Sequence, residues 1–518
     1  MINTLINASG RVSAYIILAL YVLAMVGIAY YSRSKKGSGT DDFLLAGRKM
    51  GGWMSAFAYG TTYFSAVIFI GYAGKLGWAF GMATLWIGLG NALIGSFLAW
   101  KLLALRTRTM THSLNAKTMP EFFEARYGDK KIKMVSCIII FIFLIPYSAS
   151  VYQGLGYLFE LIFGIDFIWV ILIMAVLTSL YLVAGGYLAT AITDFVQGII
   201  MIIGVLAMVF IILDKVDWGN GISQAVELSG GLIANTSMDK GFINSPFVIV
   251  TALMILTSLG MWGLPQSVHK FYAVKDKSAA KKATIISTAF AAIIGLGAYF
   301  FGTFGKLVLG TLPEGGVDYI IPNLLMQVVP SVLLGIIAVL VLSASMSSLA
   351  SMTLSSSSAI SVDMYKGYIN PNADDKKVTS LTRILCLVFV ALSAIFAINQ
   401  VDIIITLMSL SWGTLAGCFI GPYVWGLFSK KITRAAAWTS IIGGLVWTFT
   451  WILILGAIYP KAGFDGFTAV LKGGLGYTPQ IGASAMILSL IITPIVSKFT
   501  TPPSSEITDL AFQNIECK

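Results

Sequence analysis

Charge is what this chain has least of. Acidic and basic residues make up 11% of its 518 positions, histidine occurs twice and cysteine four times, while 57% of the residues are hydrophobic. So little charge over such a length excludes a string of soluble domains, because nothing would cover the apolar surface. The two histidines, His112 and His269, stand beside basic residues without metal-ligand spacing, so a membrane metalloenzyme has no site. No GxxxxGK[ST] stretch occurs, which removes a nucleotide-driven pump. Cys137, Cys386, Cys418 and Cys517 show no paired spacing, so neither a disulfide framework nor a metal site is implied, and packing is the expected role of the first three. No hydrophilic stretch is long enough for a soluble domain, and the tail TTPPSSEITDLAFQNIECK is too short for a signalling one.

What remains is a succession of long apolar runs. A bilayer crossing needs about 20 mostly apolar residues, and such runs fall near 13–32, 50–76, 80–104, 132–160, 166–185, 188–214, 246–268, 283–311, 331–363, 379–399, 403–428, 435–459 and 478–497. They predict an all-α integral membrane protein of about thirteen helices, since a helix satisfies its own backbone and these runs are too long and too evenly apolar for barrel strands. The first run lacks a signal-peptide charge pattern and cleavage site, so it is expected to stay as a span. The loop at 215–245 carries turn residues (WGNG, SGG, NTS) and has room for a short helix, and TMPEFFEARYG reads as an interfacial helix leading into the fourth span.

A formal charge of +11 would suit a nucleic-acid partner if the basic residues were gathered in one patch. Instead they alternate by loop. Arg33, Lys35, Lys36, Arg48 and Lys49 follow the first run, Lys101 to Lys133 the third, Lys270 to Lys282 the seventh, Lys366 to Arg383 the ninth, and Lys430 to Arg434 the eleventh. The intervening loops hold only Arg11, Lys75, Lys215, Lys240, Lys306, Lys461 and Lys472. The positive-inside rule makes the rich side cytoplasmic, with the N-terminus outside and the C-terminus inside a cell membrane. Lipid, not nucleic acid, is the expected macromolecular surrounding.

Two runs are interrupted. In GGWMSAFAYGTTYFSAVIFIGYAGKLG, Gly60, Thr61 and Thr62 sit mid-span; in FVIVTALMILTSLGMWGLPQSVHKFY, Ser258, Gly260, Gly263 and Pro265 do. Such residues serve either as packing and kink positions or as true breaks, and their occurrence five spans apart matches a transporter built from inverted repeats with a midplane site. A third run, ending SASMSSLASMTLSSSSAISVD, carries Ala344, Ser347, Ser348, Ser351, Ser355 and Ser358 at three- and four-residue steps, one stripe of a helix. A hydroxyl stripe in a span must face protein or a cavity. It is either glue between helices or part of a cage for an alkali ion, which wants about five or six oxygens and needs no net charge from its ligands.

At these residues the chain resembles the sodium/solute symporter family. The resemblance runs over roughly 13–460 and is carried by GRKMGGWMSAFAYGTTYFSAVIFIGYAG, GGYLATAITDFVQGIIM, GLPQSVHKFYAVKD and ASMSSLASMTLSSSSAISVDMYK. It implies a LeuT-like core of two inverted five-helix repeats working by alternating access. By position the repeats are 50–214 and 246–428, flanked by an extra helix and loop at 1–49, the loop 215–245, and two helices with a tail at 429–518. The resemblance implies sodium as cofactor, held by the carbonyls of Thr61, Phe64 and Ala344 and the hydroxyls of Ser347 and Ser348. Thr61 stands where the family usually has Ala, a change that a carbonyl ligand survives. Asp194 matches an acid near the ion exit that some members use, with further hydroxyls, for a second sodium. Ser347 and Ser351 are present for that purpose, but Ala350 stands where those members have Ser, so one sodium is expected and a second stays open.

The solute is expected to be a small molecule, and a single chain to suffice for transport. Proline carriers of the family have Asp where this chain has Tyr63, and aromatics where it has Thr257 and Met261, so proline is disfavoured. TTYFSAVIFIG and GLPQSVHKFYAVKD look more like the pantothenate and monocarboxylate branch, and helix N-termini at the breaks suit a carboxylate. A small organic carboxylate is expected first, a neutral amino acid or sugar second. Pocket candidates are Thr62, Tyr63, Tyr147, Met261, Trp262 and Gln266. A passive channel is the remaining rival, and it could not concentrate its solute.

Overall fold

The computed structural model describes residues 8–34, 40–239 and 241–515. Lys35, Lys36, Lys240 and Cys517 lie outside the described residues. Helix is the only regular structure among the described residues: α1 (Ala8–Ser34), α2 (Gly52–Tyr63), α3 (Ala73–Phe80), α4 (Leu85–Gly90, running on through wide turns Asn91–Ala104 to Leu105–Ser113), α5 (Met119–Tyr127), α6 (Lys130–Phe163), α7 (Phe167–Lys215), α8 (Gly219–Leu228), α9 (Pro246–Gly263), α10 (Pro265–Tyr272), α11 (Lys277–Thr303), α12 (Ser331–Ser358, running on through Ala359–Ile369), α13 (Asp375–Ile398), α14 (Ile404–Phe428), α15 (Arg434–Ile458) and α16 (Thr478–Lys498).

Two stretches cross twice. Along α11, Gly52 packs on Ala279, Gly60 on Phe290 and Gly77 on Gly302; past Gly81 the order reverses, with Gly88 on Gly295, Ser96 bonded to Ser287, and Arg108 on Val274 and Lys275. Gly81 makes this reversal possible with a φ of 51°. The 49 residues of α7 would span about 74 Å if straight, more than twice the ~30 Å hydrocarbon core. Its two ends lie in one layer, Phe167 on Tyr157 and Tyr157 on Tyr319, with Lys215 beside Leu307 and Val308. Its middle reaches the opposite side, where Tyr187 meets His269. With α2–α3 and α9–α10 each counted as one broken crossing, the described residues make thirteen.

The basic loops meet on one side. Arg48 donates to the Ala116 carbonyl at 2.8 Å, Lys117 reaches Asp41 at 3.0 Å, and Lys366 reaches Asp375 at 2.8 Å. The TMPEFFEARYG segment folds as α5, with Thr118 accepting the Glu121 N–H at 3.2 Å, Pro120 in the first turn, and Gly128 at φ 65° closing the end. Its side chains pack into the protein. Phe122, Phe123 and Arg126 are buried, Tyr127 donates to the Pro422 carbonyl at 2.6 Å, and Arg126 donates to Gly426 at 3.0 Å, so α5 is wedged against the end of α14.

Burial grades the helices. The apolar stretches of α12 and α14 are 89% and 94% buried, against 33% for α15; the first two form the interior and the last faces lipid. Close backbone approach at glycine sets these distances, since a Cβ on Gly77 would stand 2.3 Å from the Gly302 carbonyl oxygen. Gly77→Ala is therefore expected to destabilise the bundle by about 1–3 kcal/mol through overpacking. Gly443→Ala, where nothing lies within 4 Å, should be neutral; melting of the two purified variants checks this.

Candidate functional site at the helix breaks

The first break starts one turn later than the glycine in GTTYF suggests. Gly60 is a packing residue inside α2, where a Cβ would come 2.5 Å from the Phe290 ring. The helix ends at Tyr63, and Phe64 turns extended (φ −106°, ψ 122°) while its N–H still reaches the Gly60 carbonyl at 3.2 Å. Beyond that bond the carbonyls of the last turn have no helical donor. The N–H groups that should have met them go elsewhere: Ala66 donates to Ser345 Oγ at 3.1 Å and Val67 to Ser65 Oγ at 3.3 Å.

The serine stripe of α12 fills this gap. Ser348 Oγ lies 3.3 Å from the Thr61 carbonyl, 3.1 Å from that of Thr62 and 3.2 Å from that of Ala344. A hydroxyl has one proton. It can serve one of the three carbonyls; that of Ala344 keeps its helical N–H donor inside α12, but of the freed Thr61 and Thr62 carbonyls at least one is left without a donor, in a form suited to a cation. Ser347 Oγ lies 2.8 Å from Thr61 Oγ1 and 2.6 Å from Asp194 Oδ1. Thr62 Oγ1 lies 3.0 Å from Ser351 Oγ and donates to the Ala58 carbonyl at 2.7 Å. Thr61, Phe64, Ala344, Ser347, Ser348 and Asp194 are all fully buried, so the cluster is shut off on every side.

Among the described contacts, the second α2 carbonyl beside Ser348 belongs to Thr62 and not to Phe64. The Phe64 carbonyl lies past the break, on extended backbone. Its ring stacks on Tyr63 at 4.5 Å and approaches Gly295.

The second break is a single residue. Leu264 (φ −81°, ψ 123°) closes α9 by donating to the Gly260 carbonyl at 3.0 Å, and Pro265, which has no N–H and disfavours helix before it, starts α10. Gly260 lies under the Trp412 ring, 3.0 Å from where a Cβ would be. That ring, from α14, joins the two breaks: its centroid is 6.2 Å from Tyr63 and 5.5 Å from Tyr147, edge to face with the latter. The Tyr63 hydroxyl donates to the Thr257 carbonyl at 2.8 Å, and Tyr147 lies beside Ser65 and Ser348. Tyr63 and Tyr147 thus meet next to the carbonyl cluster.

The other pocket candidates spread out. Met261 is buried against Ser267, and Gln266 is buried with Oε1 unpaired. Thr62 belongs to the serine cluster. Trp262 turns away, its indole donating to the Ile94 carbonyl at 2.9 Å while half-buried.

Sequence reasoning missed three residues. Trp412 and Gln153 are buried with polar atoms unpaired, the indole N–H of one and the whole amide of the other. Gln153 adjoins Gly154, which touches Ala66 just past the first break; a lone amide in VYQGLGY was the available signal. Lys270 is the third, and here the loop assignment is overturned. Its side chain is 2% exposed, with Nζ 2.9 Å from Ser351 Oγ and 3.7 Å from Asp194 Oδ2. The helix resumes after Leu264, and Lys270 lies little more than a turn past the break, still inside the bundle.

A profile of the Sodium:solute symporter family matches residues 43–444. The chain belongs to the sodium:solute symporter family. Family membership makes it a multi-pass membrane transporter that couples movement of a small solute to sodium. Sodium/proline symporters of Staphylococcus aureus are similar along their whole length: 27% identical over 517 residues, 98% of this chain and 96% of the relative, in strain bovine RF122 / ET3-1, and 27% over 508 residues in strain JH9. Among solved structures, a substrate-bound, outward-open Na+-coupled sialic acid symporter aligns with a TM-score of 0.73 at 19% identity, covering 95% of this chain and 99% of the other. An Eremococcus coleocola manganese transporter aligns at 0.51 and 15%, covering 90% and 97%. The fold of this symporter is LeuT-like, with a core of two inverted five-helix repeats.

If the Tyr63, Tyr147 and Trp412 rings line the solute position of this symporter, Trp412→Ala should weaken half-maximal solute uptake about tenfold, from about 1.5 kcal/mol of lost ring contact. Trp412→Phe should recover most of it. Uptake against solute concentration checks both.

Proposed function

We propose that this symporter imports a small organic carboxylate with one sodium ion by alternating access, with its N-terminus outside and its C-terminus in the cytoplasm. The orientation rests on the basic loops, which the positive-inside rule puts in the cytoplasm. The moving core would comprise repeats at 50–214 and 246–428, with 1–49, 215–245 and 429–518 as additions.

The convergence of the Thr61, Thr62 and Ala344 carbonyls on one hydroxyl with a single proton carries the sodium assignment. Sodium would replace the Ser348 proton among them, with Thr61, Ala344, Ser347 and Ser348 as ligands and the Phe64 carbonyl turning in as the break adjusts. Oxygen ligands without net charge suit an ion that must also leave. An ion that draws α2 and α12 together orders the break beside Tyr63 and Tyr147 and so raises solute affinity, and by linkage the solute raises sodium affinity equally. Release toward the cytoplasm passes Asp194, driven by low internal sodium and a membrane potential worth about 2.3 kcal/mol per charge per 100 mV.

The carboxylate reading rests on what surrounds the aromatic group. Asp194, the acid nearest the first break, is engaged by Ser347 and faces Lys270, leaving no acid there for a substrate amine. Tyr63, at the position of the proline carriers' Asp, spends its hydroxyl on Thr257. A proline-like solute is the second reading, favoured by the similarity to the Staphylococcus aureus sodium/proline symporters.

Proteoliposomes decide between them. Labelled monocarboxylates, pantothenate, proline and a sugar are offered with an inward sodium gradient and with choline in its place. Concentrative, sodium-dependent uptake of a carboxylate is expected; uptake of proline alone would overturn the solute assignment, and accumulation that survives choline would overturn the coupling. Ser348→Ala should raise half-saturating sodium about tenfold, the ~1.4 kcal/mol expected of one lost ligand. An unchanged sodium curve in that variant would count against the ion site.

A further inference from the structure

We propose that Lys270 is a tethered cation: its ammonium occupies a second cation subsite built from Asp194, Ser347, Ser351 and Thr62, and thereby holds the stoichiometry at one sodium per cycle. The proposal rests on the sodium site at Ser348 set out above. It adds the residue that decides how many ions can bind.

The subsite lies beside the carbonyl cluster and shares Ser347 with it. Its oxygens come from three segments: Asp194 from α7, Ser347 and Ser351 from α12, and Thr62 from the end of α2. Ser347 bonds Asp194 Oδ1 at 2.6 Å, and Ser351 joins Thr62 at 3.0 Å. Lys270 enters from α10, with Nζ 2.9 Å from Ser351 Oγ, 3.7 Å from Asp194 Oδ2 and 5.0 Å from the centre of the Tyr187 ring. Asp194 Oδ2 itself has no hydrogen-bond partner and is fully buried.

A carboxylate and hydroxyls drawn from several helices, one carboxylate oxygen free, is a donor set for a hard cation. Here the positive charge is already present and covalently attached. It is held by one hydroxyl bond, a loose ion pair and a ring face, contacts that neutralise Asp194 without the tight geometry of a buried structural pair. A sodium ion at this position would have to displace an ammonium that cannot diffuse away. Removing the ammonium leaves an uncompensated buried carboxylate, which draws in an ion from solution.

The test counts sodium directly and needs no solute. Purified full-length protein is titrated with radioactive sodium in a scintillation proximity assay. The wild type should saturate at one ion per chain without cooperativity. Lys270→Met should double the sodium bound at saturation, Lys270→Arg should keep the wild-type count, and Lys270→Met combined with Asp194→Asn should return to it. A Lys270→Met protein with an intact melting transition that still binds one ion defeats the proposal, and so does a wild type that binds two. Should Lys270→Met fail to fold, Lys270→Gln takes its place, and the wild-type count decides by itself if that fails too. Ser348→Ala separates the two readings: if it leaves the single wild-type ion untouched, the primary site is wrong, whereas weakened binding there with a Lys270→Met count of one rejects the tethered cation alone.

Discussion

Backbone carbonyls freed inside a low-dielectric bundle are the constraint on which the rest of this structure depends. In hydrocarbon an orphaned polar group costs several kcal/mol, so a helix can be interrupted at Phe64 only if another element supplies partners. The serine helix α12 does so, with Ser345 taking the Ala66 N–H and Ser348 facing the Thr61 and Thr62 carbonyls. The arrangement is under-satisfied in protons and rich in oxygen. That imbalance would suit a cation, where a fully bonded network would suit only an interface.

Packing around the gap keeps it dry and close. Gly154 on α6 lets that helix touch Ala66, and Gly198 on α7 brings its backbone against Phe57 and Thr61. Larger residues at either point would hold the helices apart and let the serines miss the carbonyls. The two breaks are not independent: Trp412 stands over Gly260 of one and against Tyr63 of the other, while Lys270, carried by the half-helix after the second, meets Ser351 and through it Thr62 at the end of the first. A shift at either break is therefore felt at the other through contacts of a few ångströms, the physical requirement for coupling an ion to a solute.

Much of this was legible along the chain, with errors of a particular kind. The apolar runs announced thirteen crossings, and GTTYF and GLPQ announced two interruptions. The first falls at the end of GTTYF: Gly60 is the seat of the Phe290 ring, and the backbone turns at Phe64. What TMPEFFEARYG packs on was hidden, because its neighbours in space, Pro422 and Gly426, lie some 300 residues away. Lys270 looked like one more basic loop residue, since counting lysines after a span cannot tell that the sixth residue of a half-helix is still inside the bundle.

The sequence by itself determined the solvent of this protein, the number of its crossings, which side gathers its basic loops, and which helix bears a hydroxyl stripe. These follow from hydrophobicity and periodicity, properties local to each run. Only the tertiary structure decided which carbonyls Ser348 faces, that Trp412 bridges the breaks, and that a buried ammonium answers Asp194. Those depend on angles and distances between segments far apart in the chain, and a difference of one helical turn, about 5.4 Å, exceeds the reach of any hydrogen bond.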